Sequence, residues 1–476
     1  MTTLHDLSPL PLALRLCAGV LMSLVLAAGA GAAANAPAAE PATPAAVPAS
    51  GPAGFHITPV DDAWRARLPL DADAATQAYL DRLPAAVVAR SNAYYEGGYW
   101  VRGWEFLAGL VVAMLLLATR PSTAVRDWAA RRLKKPVLRD AAYGGFYAAA
   151  GWLLTLPLTI YTGFVREHAY GMATQAFGAW FGEQLVALCI SVLAGAVLVA
   201  LLYAALRRAG PQWWLWGTGV VVAFMALMMT VAPVWIDPLF NTYKPIDDGP
   251  VKRAVLTMAQ ANGVPVDNVY VFDASRQTTR VSANVSGLFG TAAVRLNDNL
   301  LLRASEPEIL AVMGHEIGHY AMNHVPKVLL FFAVVVMLGF LFAQWAMRVL
   351  LARWGTRWRL QGVADVASLP LLGAVMACYF FVATPLLNSY SRAQEVEADL
   401  WGLNLAREPH GEAEVLLKLV EYRKADPGPL EEVIFYTHPS TRKRIYHAMR
   451  WRERMALTTA PAAPSPASPA APASAR

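Results

Sequence analysis

Long apolar runs constrain this chain most. An α-helix needs about 20 such residues to cross a hydrocarbon core of about 30 Å. Six runs meet or approach that length: Trp104 to Thr119, Ala141 to Val165, Leu185 to Leu206, Trp213 to Ile236, Val328 to Met347 and Leu369 to Leu387. A further one, about Leu16 to Ala34, lies near the start. The composition agrees, with 56% hydrophobic residues against 16% charged and a mean hydropathy of +0.37. A water-soluble enzyme, a disordered protein and a disulfide-stapled secreted domain are all excluded. The expected fold is a polytopic α-helical membrane protein of about 6–7 transmembrane helices.

The first run follows Arg15 and ends in small residues, which fits either a cleaved signal peptide or a first transmembrane helix for residues 1–34. Residues 35–55 form an Ala/Pro-rich linker, and 459–476 repeat that composition as a disordered tail. Cys17, Cys189 and Cys378 all lie in apolar runs, so neither a disulfide nor a cysteine metal site is expected. The Tyr99 and Trp100 pair before Trp104 is expected to form an interfacial belt.

The net charge of +6 does not imply nucleic acid, because the basic residues cluster in short loops. Arg120 to Arg139 holds seven of them, and Arg207, Arg208 and four arginines between Arg348 and Arg359 fall on the same side. The positive-inside rule puts these loops in the cytoplasm and the polar stretches 237–326 and 388–458 in the periplasm. The Ala-, Arg- and Trp-rich composition suggests a bacterial inner membrane. The domain plan is an N-terminal membrane domain at 56–236, with a second domain at 237–458 that takes in the spans 328–347 and 369–387.

In the first polar stretch we expect a helix over Val251 to Ala261 and strands at Val269 to Phe272, Val281 to Ser286 and Ala292 to Leu296. A helix then starts at Ser305, where Ser-Glu-Pro-Glu supplies a capping box with Glu308 and a proline in the first turn.

That helix carries His315-Glu316-Ile317-Gly318-His319, an H-E-x-x-H sequence. At 100° per residue the histidines lie about 40° apart, so both imidazoles reach one zinc ion, with Glu316 beside the metal-bound water. Zinc lowers the pKa of that water and polarises a carbonyl, and the glutamate moves the proton. Such a site hydrolyses amides. In a chain with nine histidines the pentapeptide alone is weak evidence, and a helix face with two solvated histidines would look the same.

A catalytic zinc needs a third protein ligand and an open position. His324, Glu395, Glu397, Asp399, His410 and His438 are the candidates downstream. An H-E-x-x-H-x-x-G-x-x-H pattern fails at Met322 and Val325, and His324 is expected to be a surface histidine. Glu395 and Asp399, four apart, share a helical face. One can bind zinc while the other accepts the second N–H of a ligand histidine. Glu397 points elsewhere.

The sequence resembles the CAAX prenyl protease type 1 family, integral-membrane zinc endopeptidases of the gluzincin kind. The resemblance rests on His315 to His319, Val165 to Gly171, Asp237 to Tyr243, Leu296 to Leu301, Ser391-Arg392 with Glu395 to Asp399, and Thr437-His438-Pro439, in the family's order across residues 140–450. It implies a zincin-like α+β catalytic domain at one membrane face and one Zn2+ per chain on His315, His319 and Glu395. Glu316 would be the base, and Asp399 would support a ligand histidine. His438 and Arg444 would face the substrate, with His438 stabilising the oxyanion. Ala283, Asn284 and Val285 would form the edge strand that holds the peptide extended. The residues after Asn284 are small where the family has an aromatic, which leaves side-chain preference open. The resemblance also implies a water-filled chamber, against which Glu167 and Glu183 would sit near span ends.

The expected function is membrane-embedded zinc endopeptidase, acting as a CAAX-type or a membrane-protein quality-control protease. Its partners are the bilayer and a peptide or protein substrate, membrane-associated or lipidated. Bacteria generally make no prenylated CAAX proteins, which favours membrane or misfolded proteins. The alternative is a transporter or chaperone-like membrane protein whose zinc site is structural.

Overall fold

The computed structural model describes residues 57–286 and 293–459. The first apolar run, Cys17, the 35–55 linker and the tail beyond 459 lie outside the described residues. Sixteen α-helices and four strands follow in order among them.

Five helical stretches are long and apolar enough to cross a membrane: Ala85–Ala118, Pro136–Ala169, Phe177–Leu239, His324–Trp358 and Val366–Ala406. To within a residue, each of the six expected runs falls inside one of them. The third stretch is two helices, because Gly210, at φ +52°, ends the first and the second packs back against it.

The chain begins with short helices α1 (Asp62–Ala66) and α2 (Ala72–Leu80), then α3 (Ala85–Ala118), α4 (Pro121–Arg132), α5 (Pro136–Ile160), α6 (Arg166–Ala169), α7 (Phe177–Ala209) and α8 (Trp213–Val231). Their membrane core centres on buried Tyr143, Tyr203 and Trp213, against which Phe340 and Met347 of the later stretch His324–Trp358 pack. At the arginine-rich end, Arg126 pairs with Asp365 at 2.6 Å and donates to the Arg359 carbonyl at 3.1 Å, so the basic loops share one end of the bundle.

At 1.5 Å per residue the 34-residue α3 is about 50 Å long, well beyond a core of about 30 Å. Its first turns therefore continue into the polar domain. Tyr99, expected in an interfacial belt, instead donates to Glu431 at 2.6 Å and stacks on Phe435, while Trp100 is exposed.

The polar domain holds β1 (Tyr243–Pro245), α9 (Pro250–Ala261), β2 (Val269–Phe272), β3 (Ala283–Ser286), β4 (Ala293–Asn297), α10 (Asp298–Arg303) and α11 (Glu306–Ala321). The strands form one sheet in the order β1-β2-β4-β3, with β2 and β4 parallel and the other pairs antiparallel. β3 starts two residues later than the alternation suggests, and β1 is too short to signal itself. Val255, Val269, Val294, Leu296, Met313 and Ile317 are buried between sheet and helices. The cap of α11 forms as its sequence implies, with the Ser305 N–H donating to Glu308 Oε2 at 2.7 Å.

Next come α12 (His324–Trp358), α13 (Leu369–Ala406), α14 (Pro409–Lys418), α15 (Pro429–Phe435) and α16 (Thr441–Thr459). A second core joins Leu403, Leu416, Leu417, Ile445 and Met449 to Tyr79 of α2. Residues 57–83, placed by sequence with the N-terminal membrane domain, thus pack at the catalytic end. No local pattern marks this, because the burying surface is more than 300 residues away.

Candidate active site

Helices α11 and α13 cross where both present glycine. A Cβ built on Gly402 would stand 2.7 Å from the His315 nitrogen, and one on Gly314 would stand 3.0 Å from the Gly402 carbonyl. Only bare backbone permits this approach. It sets His315 and His319 of α11 against Glu395 and Asp399 of α13, which runs on unbroken from the membrane.

His315 Nε2 and His319 Nε2 are 3.0 Å apart. Glu395 Oε2 stands 3.3 Å from His315 Nε2, and Oε1 stands 3.6 Å from His319 Nε2. The three ligand atoms lie within 4.8 Å of one another. Glu395 Oε2 is buried without a hydrogen bond of good geometry, an orphan that a cation would satisfy. Two imidazoles and a carboxylate suit zinc, so the residues fit the implied metal.

Each histidine is fixed from behind. Asp399 Oδ1 accepts from His315 Nδ1 at 2.8 Å, which leaves the Nε2 lone pair free for a metal. His319 Nδ1 faces His324 Nδ1 at 2.8 Å, and His324 Nε2 reaches Glu397 Oε2 at 3.1 Å. His324 is therefore no surface histidine, since it is 3% exposed. Asn323, at φ +55°, turns the chain sharply between α11 and α12 and folds His324 back onto the site.

Charge follows from this packing. Burial opposes a proton on His315, but the hydrogen bond it gives to Asp399 and the Glu395 carboxylate close by outweigh it and raise its pKa to about 10. Burial and the His315 charge then hold His319 down at about 4, because two imidazoliums at 3.0 Å repel. Burial also lifts Glu316 to about 7, a value suited to a base at neutral pH.

A cavity of about 240 Å³ opens beside these groups, lined by Ala283, Glu316, Glu412, Tyr422, His438 and Arg444 among others. Of the expected edge strand, Ala283 lines it, and Asn284 and Val285 pair with Arg295 and Val294 of β4 at the end of the sheet. His438 Nε2 stands 3.2 Å from Glu395 Oε2, and its Nδ1 is 3.0 Å from Thr437 Oγ1. Burial and nearby Arg423 keep His438 neutral, near 3. Its Nε2 thus faces the Glu395 carboxylate at the wall of the cleft. Arg444 lines the cleft, but its guanidinium is committed to Asp399 at 2.9 and 2.6 Å and approaches Glu412 at 3.3 Å.

A model described as peptidase family M48 matches residues 245–452, and one described as the CAAX prenyl protease N-terminal region, five membrane helices, matches residues 71–242. The chain belongs to peptidase family M48. Among similar proteins, the uncharacterized metalloprotease YhfN of Bacillus subtilis is 29% identical over 336 residues, covering 70% of this chain and 79% of that one. CAAX prenyl protease 1 of Saccharomyces cerevisiae is 29% identical over 197 residues, 41% of this chain and 43% of that one. The crystal structure of S. mikatae Ste24p shares the fold with a TM-score of 0.64 at 20% identity, over 78% of this chain and 90% of that one. An M48 chain with five membrane-crossing stretches is a membrane-embedded zinc protease, and the transporter alternative drops out.

Sequence reasoning missed His324, Glu412 and Arg423. Glu412 and Arg423 enter from segments with no motif, so only the three-dimensional packing reveals them.

Proposed function

We propose that the protein is an endopeptidase that holds one zinc ion per chain on His315, His319 and Glu395. The convergence of those three ligand atoms within 4.8 Å carries the proposal. Three ligands leave a coordination position open, as catalysis requires and a structural site does not. When bound, zinc would supply Lewis-acid polarisation of the scissile carbonyl and acidify water.

The chain's own groups do the rest. Glu316 takes the proton from the attacking water and delivers it to the leaving amine. His438 donates its Nε2–H to the developing oxyanion. The terminal strand β3, at Ala283, Asn284 and Val285, binds the peptide by main-chain hydrogen bonds, so affinity depends little on sequence. Asp399 and His324 hold the ligand imidazoles in the tautomer that presents Nε2.

The basic loops favour a bacterial inner membrane with the catalytic face in the periplasm. The substrate is a membrane or misfolded protein rather than a prenylated C-terminus, a reading that rests on the bacterial composition; selective cleavage of a farnesylated peptide over its unmodified twin would overturn it. Endoproteolysis of an unstructured reporter by the purified protein and by Glu316→Gln, with zinc quantified in both, tests the peptidase reading. Cleavage by wild type alone at equal zinc supports it. Zinc without cleavage of any reporter refutes it.

A further inference from the structure

Beside the catalytic cleft lies a second cavity of about 250 Å³ that the hydrolysis does not use. Tyr94, Tyr95, Arg102, Arg166, Arg280 and Arg423 line it together with Gly98 and Tyr422. Tyr422 and Arg423 line the cleft as well, so the two cavities share a wall.

Four arginines line the cavity and no carboxylate does. Glu167, behind them, bonds Arg280 at 2.6 Å and stands 3.8 Å from Arg166, which leaves the group strongly positive. The tyrosine rings shelter the cations, with Arg166 4.2 Å from the Tyr94 centroid and Arg280 5.4 Å from that of Tyr422. Donors are left over. Arg280 Nε is buried without an acceptor, and Arg423 makes no hydrogen bond or ion pair among the described residues. Clustered, half-buried guanidinium groups that outnumber their one carboxylate partner are costly without a further anion, and their planar forks match a carboxylate.

We propose that this pocket is a subsite for a carboxylate of the peptide lying in the cleft, with Arg423 as its principal contact. The inference rests on the peptidase reading. The shared wall argues for a peptide group over a lipid headgroup, because the anion's carrier then already occupies the neighbouring cleft. The carboxylate can be a chain terminus or an acidic side chain, and the cavity's chemistry serves both.

The test uses the full chain loaded with zinc and one reporter peptide in three forms. One is neutral and C-terminally amidated, one has a free C-terminal acid, and one carries Glu in place of an internal Gln. We expect the KM of at least one acidic form to be about tenfold below that of the neutral one, the effect of a charge-assisted hydrogen bond. The ratio should shrink to under about twofold in Arg423→Gln and recover in part in Arg423→Lys, whose zinc content checks folding. Equal KM for all three forms in wild type overturns the proposal, as does a preference that survives Arg423→Gln. It is also overturned, in favour of a lipid headgroup, if Arg423→Gln loses binding to phosphatidylglycerol vesicles while the peptide ratio stands. Binding of the same peptides to Glu316→Gln, followed by fluorescence anisotropy, reads the subsite without turnover. A failure of hydrolysis is thereby separated from a failure of anion recognition.

Discussion

Arg444 clasps Asp399 through two hydrogen bonds, from Nε to Oδ2 at 2.9 Å and from its terminal nitrogen to Oδ1 at 2.6 Å. Asp399 Oδ1 also takes the His315 Nδ1 hydrogen bond. The same guanidinium reaches Glu412 at 3.3 Å, so a buried chain of charges leads from α14 to the Nδ1 side of His315, behind its metal-facing Nε2. Arg444 is therefore a positioning residue: it fixes the carboxylate that fixes the imidazole.

Removing the arginine strands a buried carboxylate. Arg444→Met is expected to cost about 3–5 kcal/mol, the penalty for breaking one side of a buried pair. Asp399→Asn keeps the shape and weakens zinc binding by about 10- to 100-fold. Thermal unfolding in detergent and chelator competition for zinc check the two effects separately. An Arg444→Met protein as stable as wild type would show that the pair carries no such penalty.

His324 supports the other ligand. His324→Ala leaves His319 Nδ1 without its partner at 2.8 Å and is expected to lower zinc affinity by about tenfold or more. Glu397→Gln, one step further out on a half-exposed side chain, should have a smaller effect. Cobalt substitution adds a spectroscopic readout of ligand geometry. Unchanged zinc affinity and an unchanged cobalt spectrum in His324→Ala would remove it from the site.

His410 gives a pH dependence away from the metal. Its Nδ1 shares a hydrogen bond of 2.7 Å with the Tyr79 hydroxyl, and burial, with Arg452 and Arg65 nearby, depresses its pKa to about 4, against a weak opposing pull from Asp62. A depressed folded-state value means the neutral form stabilises the fold. The contribution is complete above the unfolded pKa near 6.5 and is lost as pH falls towards 4. The melting temperature should decline over that window, and His410→Gln should flatten part of the slope. Identical slopes in both proteins would exclude His410 as a source.

The sequence announces whatever is local. The apolar runs, the Ser305 cap and the i,i+4 spacing of His315 and His319 all lie within one helix, where periodicity alone places them. Glu395 and Asp399 come from a helix 80 residues on, and their own four-residue spacing made them legible as a pair. Which of them binds metal came from the family resemblance. His324 was misread because its burial comes from one backbone feature, the left-handed Asn323, that no side-chain pattern encodes. The packing of residues 57–83 under α14 and α16, and the arginine pocket between α3 and the segment after α14, depend on contacts hundreds of residues apart. Composition is silent on these.

The glycine crossing is the feature on which the site most depends. His315 and Glu395 sit on different helices, and the distance between them is set by how closely α11 and α13 approach. A methyl at position 402 would stand 2.7 Å from the His315 nitrogen and 3.0 Å from the Gly314 carbonyl carbon, both backbone atoms that cannot swing aside. Gly402→Ala should therefore force the helices apart, at about 1–3 kcal/mol of stability. Zinc affinity should fall with it, because three ligand atoms gathered within 4.8 Å tolerate little displacement. Gly373→Ala is the comparison: its added carbon meets the Tyr147 hydroxyl, the end of a side chain, at 2.7 Å, on the same helix α13 but in the membrane. If the crossing sets the site, Gly402→Ala loses zinc and activity together while Gly373→Ala keeps its zinc. Normal zinc binding in Gly402→Ala would mean that the ligands are placed by something other than helix approach.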